Sequence, residues 1–258
     1  MRILSLLSSI DVPISAARIR SELDLPRSST YHLLNEMVAA GFVVYLPENK
    51  TYGLGLAAYS MAAAYSSQQP LVRMATRHLK VAAEIVQGSA HLSRLAGPEI
   101  VYLQEVRAPG APSLITEVGV RLSAAQTASG RVMLACLPQA EARGVFSTMA
   151  EDKRALLSSA SEGEGMEQVH TARPSVADFE LYLSQVREQG WAIEREEVSL
   201  GQVSVAVAVV DHVGRPAAAL AVTGRKEEMT KAAMAEVVSS LNSAASGISD
   251  KMYGRKEA

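Results

Sequence analysis

A proline set between two short amphipathic helices restricts this chain more than any other feature of its 258 residues. In Ser15–Asp24, Ala16, Ile19 and Leu23 recur at helical spacing; Leu25-Pro26 then stops the helix. A second helix is predicted from Arg27 to about Ala40, with Leu33, Leu34, Met37 and Val38 as its apolar stripe. Gly41 stands where a left-handed residue closes a helix. Two helices joined by so tight a turn form a helix-turn-helix, whose second helix offers its N-terminal residues to base edges in the major groove of DNA. Here those residues are Arg27, Ser28, Ser29, Thr30, Tyr31 and His32, nearly all of them hydrogen-bond donors. The alternative, an αα-hairpin packed as core, gives so polar a helix start no purpose.

The next residues extend the pattern. Phe42–Leu46 is a short β-run, Pro47–Lys50 a turn, and Thr51–Leu54 a return, which together make a wing. Asn49 and Lys50 sit at its tip, and Arg18 lies on the first helix within reach of phosphate. Charge complicates this picture. Residues 1–70 hold five basic groups (Arg2, Arg18, Arg20, Arg27, Lys50) and five acidic ones (Asp11, Glu22, Asp24, Glu36, Glu48), and the whole chain carries −2. Nonspecific DNA affinity comes mostly from neutralised phosphate, so a neutral head binds weakly alone. Two heads on one duplex overcome this through effective concentration, and an oligomer is therefore expected.

The organisation that follows is a winged helix-turn-helix over 1–53, a linker helix over 54–70 and a second domain over 71–258. The linker is alanine-rich, with Leu54, Ala58, Met61 and Tyr65 on one face. Such a face packs against a second copy or within its own chain; the residues leave both open. A helix from Leu71 to about Gln87 follows, then a β-hairpin from Ser89–Leu95 and Ile100–Val106 around Gly97-Pro98. Further helices are predicted over Ser123–Leu137, Gln139–Met149, Ser175–Gln189 and Lys231–Ser246, with strands at Val203–Val210 and Ala217–Val222 and a loop at Ser158–Gly165. Helices flanking an antiparallel sheet make an α+β class.

Catalytic signatures are lacking. There is no Gly-x-Ser-x-Gly elbow, no His-Glu-x-x-His and no Walker loop, and the five histidines show no metal-ligand spacing. No catalytic residue, cofactor or metal is implied. Glu194, Glu196 and Glu197 cluster as a charged strand edge does. No apolar run reaches membrane-spanning length, and the single Cys136 suits a reducing cytoplasm.

Three stretches resemble the IclR (isocitrate lyase regulator) family of bacterial transcription factors. They are Arg2–Leu7 with Asp24–Leu34, Lys50-Thr51-Tyr52-Gly53-Leu54-Gly55, and an effector half matching at Gly119–Ser123, Gly130–Ala135 and Gln189–Gly201. The resemblance implies a homodimer or dimer of dimers that binds a DNA operator, with a GAF-like C-terminal domain holding a small organic acid. Carried over by motif, the effector contacts are Ala128, Ser129 and Gly130 at a helix start, then Glu194, Ser204, Ala221 and Thr223. Ser204 replaces the family's usual cysteine, Ala221 one of two hydroxyls, and Ala125 a histidine. Leu114, Val120, Met133, Val205 and Val207 complete a predicted apolar lining, which suggests an acid larger than two or three carbons. A GAF-like binding module without specific DNA recognition is the alternative.

Overall fold

The computed structural model describes residues 1–112, 114–147 and 175–254, the side chains of 66 and 67 excepted. The Ser158–Gly165 loop and the end of the helix predicted to reach Met149 lie outside the described residues. The chain divides into two compact units, Met1–Gln69 and Pro70–Ala258.

The first unit is built from α1 (Arg2–Ser8), β1 (Ile14–Ser15), α2 (Ala16–Leu23), α3 (Arg27–Ala39), β2 (Val43–Leu46), β3 (Thr51–Leu54) and α4 (Leu56–Gln68). Ser15 caps α2 by accepting the Arg18 amide, and Asp24 ends it in a left-handed conformation (φ 48°). The close of α3 is a Schellman motif: the Gly41 amide reaches the Val38 carbonyl and the Phe42 amide reaches Met37. Gly41 takes φ 75°, which glycine adopts without cost. The wing pairs β2 with β3, and the two residues of β1 add a third strand that the sequence did not announce. Ile3, Leu7, Ile14, Ile19, Leu34, Val43 and Tyr52 form the core of this unit.

The stripe predicted for α3 is rotated from its expected position. Leu34 is fully buried, but Leu33 and Val38 are 39% and 36% exposed, and Thr30 takes the buried place (1%). Thr30 resolves its burial by donating its hydroxyl to the Pro26 carbonyl at 3.0 Å. Past the wing, Gly55 lies so close to Gly41 that a Cβ there would meet the Gly41 carbonyl oxygen at 2.2 Å. The Gly55 amide donates to Phe42 and the Ala57 amide to Gly41, which stitches the start of α4 to the end of α3.

In the second unit one six-stranded antiparallel sheet carries helices on both faces. The strands are β4 (Ser89–Ala96), β5 (Glu99–Arg107), β6 (Arg121–Ser123), β7 (Ala192–Arg195), β8 (Gln202–Val210) and β9 (Pro216–Arg225), in the order β6-β5-β4-β9-β8-β7. Helices α5 (Pro70–Ile85) and α9 (Lys231–Tyr253) cover one face. The other face holds α6 (Ala128–Ala135), α7 (described over 139–147) and α8 (Val176–Gln189). Alternate residues of β8 and β9 therefore enter different cores. Val203, Val205, Val207, Val209, Leu220 and Val222 face α5 and α9, while Ala206, Ala219 and Ala221 make a shallow bed for α6.

Three boundaries differ from expectation. Residues Arg121–Ser123 form β6, so α6 begins only at Ala128, where the Thr127 hydroxyl accepts the Gly130 amide. Strand β7 was not predicted, because four residues carrying two charges lack an apolar pattern. Helix α9 runs a further two turns to Tyr253. The capping box of Ser175 with Asp178 and the left-handed Gly190 bound α8 where their residue types indicate.

Candidate nucleic-acid interface and effector cavity

On the first unit, α3 begins without a side-chain cap, since Pro26 precedes it. Its first amides are therefore free to meet an anion, and the helix dipole adds to that preference. Arg27, Ser28, Ser29, Tyr31 and His32 are exposed around this start. Thr30 is not. Its burial removes it from the surface on which the sequence reading placed it. A hollow between α2 and α3 is lined by Ala16, Ala17, Arg20, Arg27, Thr30 and Tyr31, so Arg20 and Arg27 share one face. Arg18 lies on the exposed side of α2, 3.6 Å from Glu22. Asn49 and Lys50 are exposed in the β2–β3 turn, with Lys50 at φ 51°.

On the second unit, a cavity lies between the N-terminus of α6 and the alanine-lined face of the sheet. Its empty volume is about 390 Å³, with solvent at the mouth included. Ala128, Ser129, Glu194, Ser204, Ala221 and Thr223 all border it. Gly130 does not, and its role is steric: a Cβ there would stand 2.1 Å from the Ala124 carbonyl oxygen. The predicted apolar lining needs correction. Leu114 borders the cavity, but Val205 and Val207 point to the opposite face of the sheet, and Val120 and Met133 are absent from the wall. In their place stand His91, Tyr102, Thr116, Thr127 and Gln202, so polar groups converge on a cavity whose surface remains mostly apolar.

These groups are held in order by neighbours. Cross-strand register aligns Glu194 with Ser204, Ser204 with Thr223, and Thr223 with Ser89. The Ser204 and Thr223 hydroxyls are 2.9 Å apart. Glu194, 1% exposed, accepts the amides of Glu197 (2.6 Å) and Val198 (3.1 Å) through Oε1. Burial pushes its pKa up, with those amides and Ser204 acting in the opposite direction. Burial also raises the Tyr102 phenol, assisted by the negative charge of Glu194. His91, equally buried, places Nε2 2.8 Å from the Thr116 hydroxyl and 3.6 Å from Glu105. Burial opposes ionisation of Glu105, but hydrogen bonds from His91 and Arg107 outweigh it and bring the carboxyl down to about 2.

A second ring of contacts closes the rim. Arg131, the only α6 residue not fully buried, donates to the carbonyls of Ala125 (2.7 Å) and Ile193 (3.1 Å) and chelates Glu197. Its guanidinium also lies over the Tyr182 ring, 5.1 Å from the centroid. Glu196, at φ 59°, accepts the Gly201 amide and pairs with Lys226 at 2.7 Å. The three clustered glutamates thus have three separate tasks, of which only that of Glu194 is inside the cavity.

Comparison with known proteins fits both sites into one lineage. Residues 63–250 match the family described as bacterial transcriptional regulator IclR C-terminal, and residues 1–47 match the IclR helix-turn-helix domain. The chain belongs to the IclR family. It is 27% identical to the regulator XynR of Escherichia coli over 252 residues, covering 96% of this chain and 93% of that one. It is 24% identical to KdgR of the same species over 242 residues, covering 93% and 86%. Among solved structures, an IclR family transcriptional regulator from Brucella abortus aligns with a TM-score of 0.78 at 18% identity over 97% and 90% of the two chains. An IclR homolog from Microbacterium hydrocarbonoxydans, complexed with 4-hydroxybenzoate, aligns at 0.71 with 20% identity over 97% and 96%. This IclR chain is an α+β transcriptional regulator of the helix-turn-helix type; its relatives are regulators, not enzymes. Among its described residues no helix is long and apolar enough to cross a membrane.

Proposed function

We propose that this IclR regulator occupies an operator as a dimer or dimer of dimers, and that a small organic acid in the cavity beside α6 changes that occupancy. Residues 1–53 form the reading head, 54–70 the linker and 71–258 the effector and oligomerisation part. Arg27, Ser28, Tyr31 and His32 read bases, while Arg18, Ser29, Asn49, Lys50 and the uncapped amides of α3 hold phosphate. The exposed residues of α4, Leu56, Met61 and Tyr65 among them, support a contact between copies. A regulator that works on the chromosome of a bacterium works in its cytoplasm.

One observation carries the effector half of this reading. The N-terminus of α6 opens into a cavity whose wall combines Ser129, Ser204, Thr223, Thr116, His91 and Tyr102, giving convergent donors around a site with some apolar surface. That mixture suits a carboxylate of benzoate size or smaller, and 4-hydroxybenzoate in a relative of the same fold is of that kind. Only an effector that binds the DNA-competent and DNA-incompetent states unequally can act. The test is selection of bound duplexes from a random library, repeated with a panel of small acids at saturation. An enriched inverted repeat whose retention changes with one acid is expected; no enrichment with or without any acid would sink the proposal.

A further inference from the structure

The cavity contains a carboxylate of its own, and no described residue bordering it supplies a matching cation. Its described lining includes no lysine or arginine. Arg131 projects from α6, but its guanidinium is committed to Glu197 and to two backbone carbonyls. Lys226 is paired with Glu196. On β4, His91 faces the cavity with Glu105 beside it, so any charge it gains is already matched, and Glu105 is held in addition by Arg107. On β5, Tyr102 is a neutral phenol. From β8, β9 and the start of α6 come only neutral polar groups: the Gln202 amide and the hydroxyls of Ser204, Thr223, Thr127 and Ser129. Glu194 is thus the one carboxylate among the described residues of the cavity, 1% exposed, and accepts the amides of Glu197 and Val198.

An acid entering this space brings a second negative charge into a region of low dielectric. Two carboxylates so placed do not both stay ionised; they share a proton. Resting on the proposal above that the effector is a carboxylic acid, we infer that it is held as a carboxyl–carboxylate pair with Glu194, one proton lying between the two groups. The balance is simple. One ionised ligand, one ionised Glu194 and one proton from solvent give the complex, and no other bond forms or breaks. The upward displacement of the Glu194 carboxyl by burial favours the same outcome. The pairing also selects ligands, since an acid that cannot approach Glu194 closely enough to share the proton pays the full repulsion.

The experiment is calorimetric titration of the full chain with 4-hydroxybenzoate, benzoate, pyruvate and glyoxylate. It is run from pH 6 to 8.5, in phosphate and in Tris, whose different ionisation enthalpies report protons taken up. For any acid that binds, the wild type is expected to take up close to one proton at pH 8. Its Kd should weaken by up to about tenfold per pH unit once free Glu194 is ionised. Glu194→Gln retains an acceptor for the Glu197 and Val198 amides, and its binding should become independent of pH with no proton uptake. Any acid that still binds His91→Asn should bring its proton with it. Binding without uptake by the wild type, or uptake that survives Glu194→Gln and vanishes in His91→Asn, overturns the pairing while leaving the acid effector standing. Failure of every acid to bind overturns the acid reading and the pairing with it. Should Glu194→Gln not fold, the wild-type buffer comparison still decides the matter.

Discussion

Arg131 joins three separate parts of the second unit. It ties the turn before α6, strand β7 and the Glu197 loop to one guanidinium. Replacing it with methionine removes those bonds and leaves Glu197 without its counter-charge. The expected loss is about 3 kcal/mol of stability, read as a lower melting temperature of the second unit, together with weaker acid binding. An unchanged melting temperature would show that the rim holds without it. Glu105 gives a pH signature. Its carboxyl falls from 4.5 to about 2 on folding, so its contribution is complete above pH 4.5 and is lost as the pH drops through 2. Thermal unfolding between those limits should steepen with acid in the wild type and flatten in Glu105→Gln. Arg27→Ala should cost operator binding about 1–3 kcal/mol, roughly five- to 150-fold, with no change in melting of the second unit. Binding equal to wild type would displace α3 from the base-reading role.

At the scale of elements, strand parity explains both what the residues disclosed and what they concealed. Ser204 and Val205 are neighbours on β8 and must face opposite sides of the sheet. Once Ser204 was assigned to the cavity, Val205 and Val207 belonged to the other core, and period two alone excluded them. The same rule could have found His91, which shares a face with the buried Ser89 and Ser93 and pairs with Ala221. Burial on both faces hid this signal, because a polar side of Ser89, His91 and Ser93 set against Ala90 and Leu92 reads equally well as a solvated face. Caps were legible: Ser175 with Asp178, Gly190 and Gly41 each act where their chemistry indicates. The start of α6 was not, since Ser123 and Thr127 are equally good caps and only the pairing of β6 with β5 separates them. Gly130→Ala tests the tight pass over Ala124. A contact of 2.1 Å with backbone cannot be relieved by rotating a side chain, and a loss of about 3 kcal/mol or more is expected by chemical denaturation. A melting curve like that of the wild type would mean that the turn before α6 can shift freely.

At the scale of the molecule, the division into two compact units falls at Gln69-Pro70, while Leu25-Pro26 and the wing turn punctuate elements within the first. Partners are harder to read from the residues. Charge summed over a head that is formally neutral says nothing about its distribution, and in the structure Arg20 and Arg27 line one hollow while Glu22 sits against Arg18. If phosphate contact follows the exposed turn, Lys50→Ala should weaken operator and random duplex alike. It should also lower the slope of log affinity against log salt by about 0.9 for each head engaged. A change confined to the operator would make Lys50 a base reader instead.

The seam between Gly41 and Gly55 gives α4 a mechanical meaning. With no room for a Cβ and two amides donated across it, the joint lacks the slack of an ordinary loop, and α4 becomes a handle on the recognition helix. A torque applied to the handle turns α3 through the same angle instead of being absorbed at the elbow.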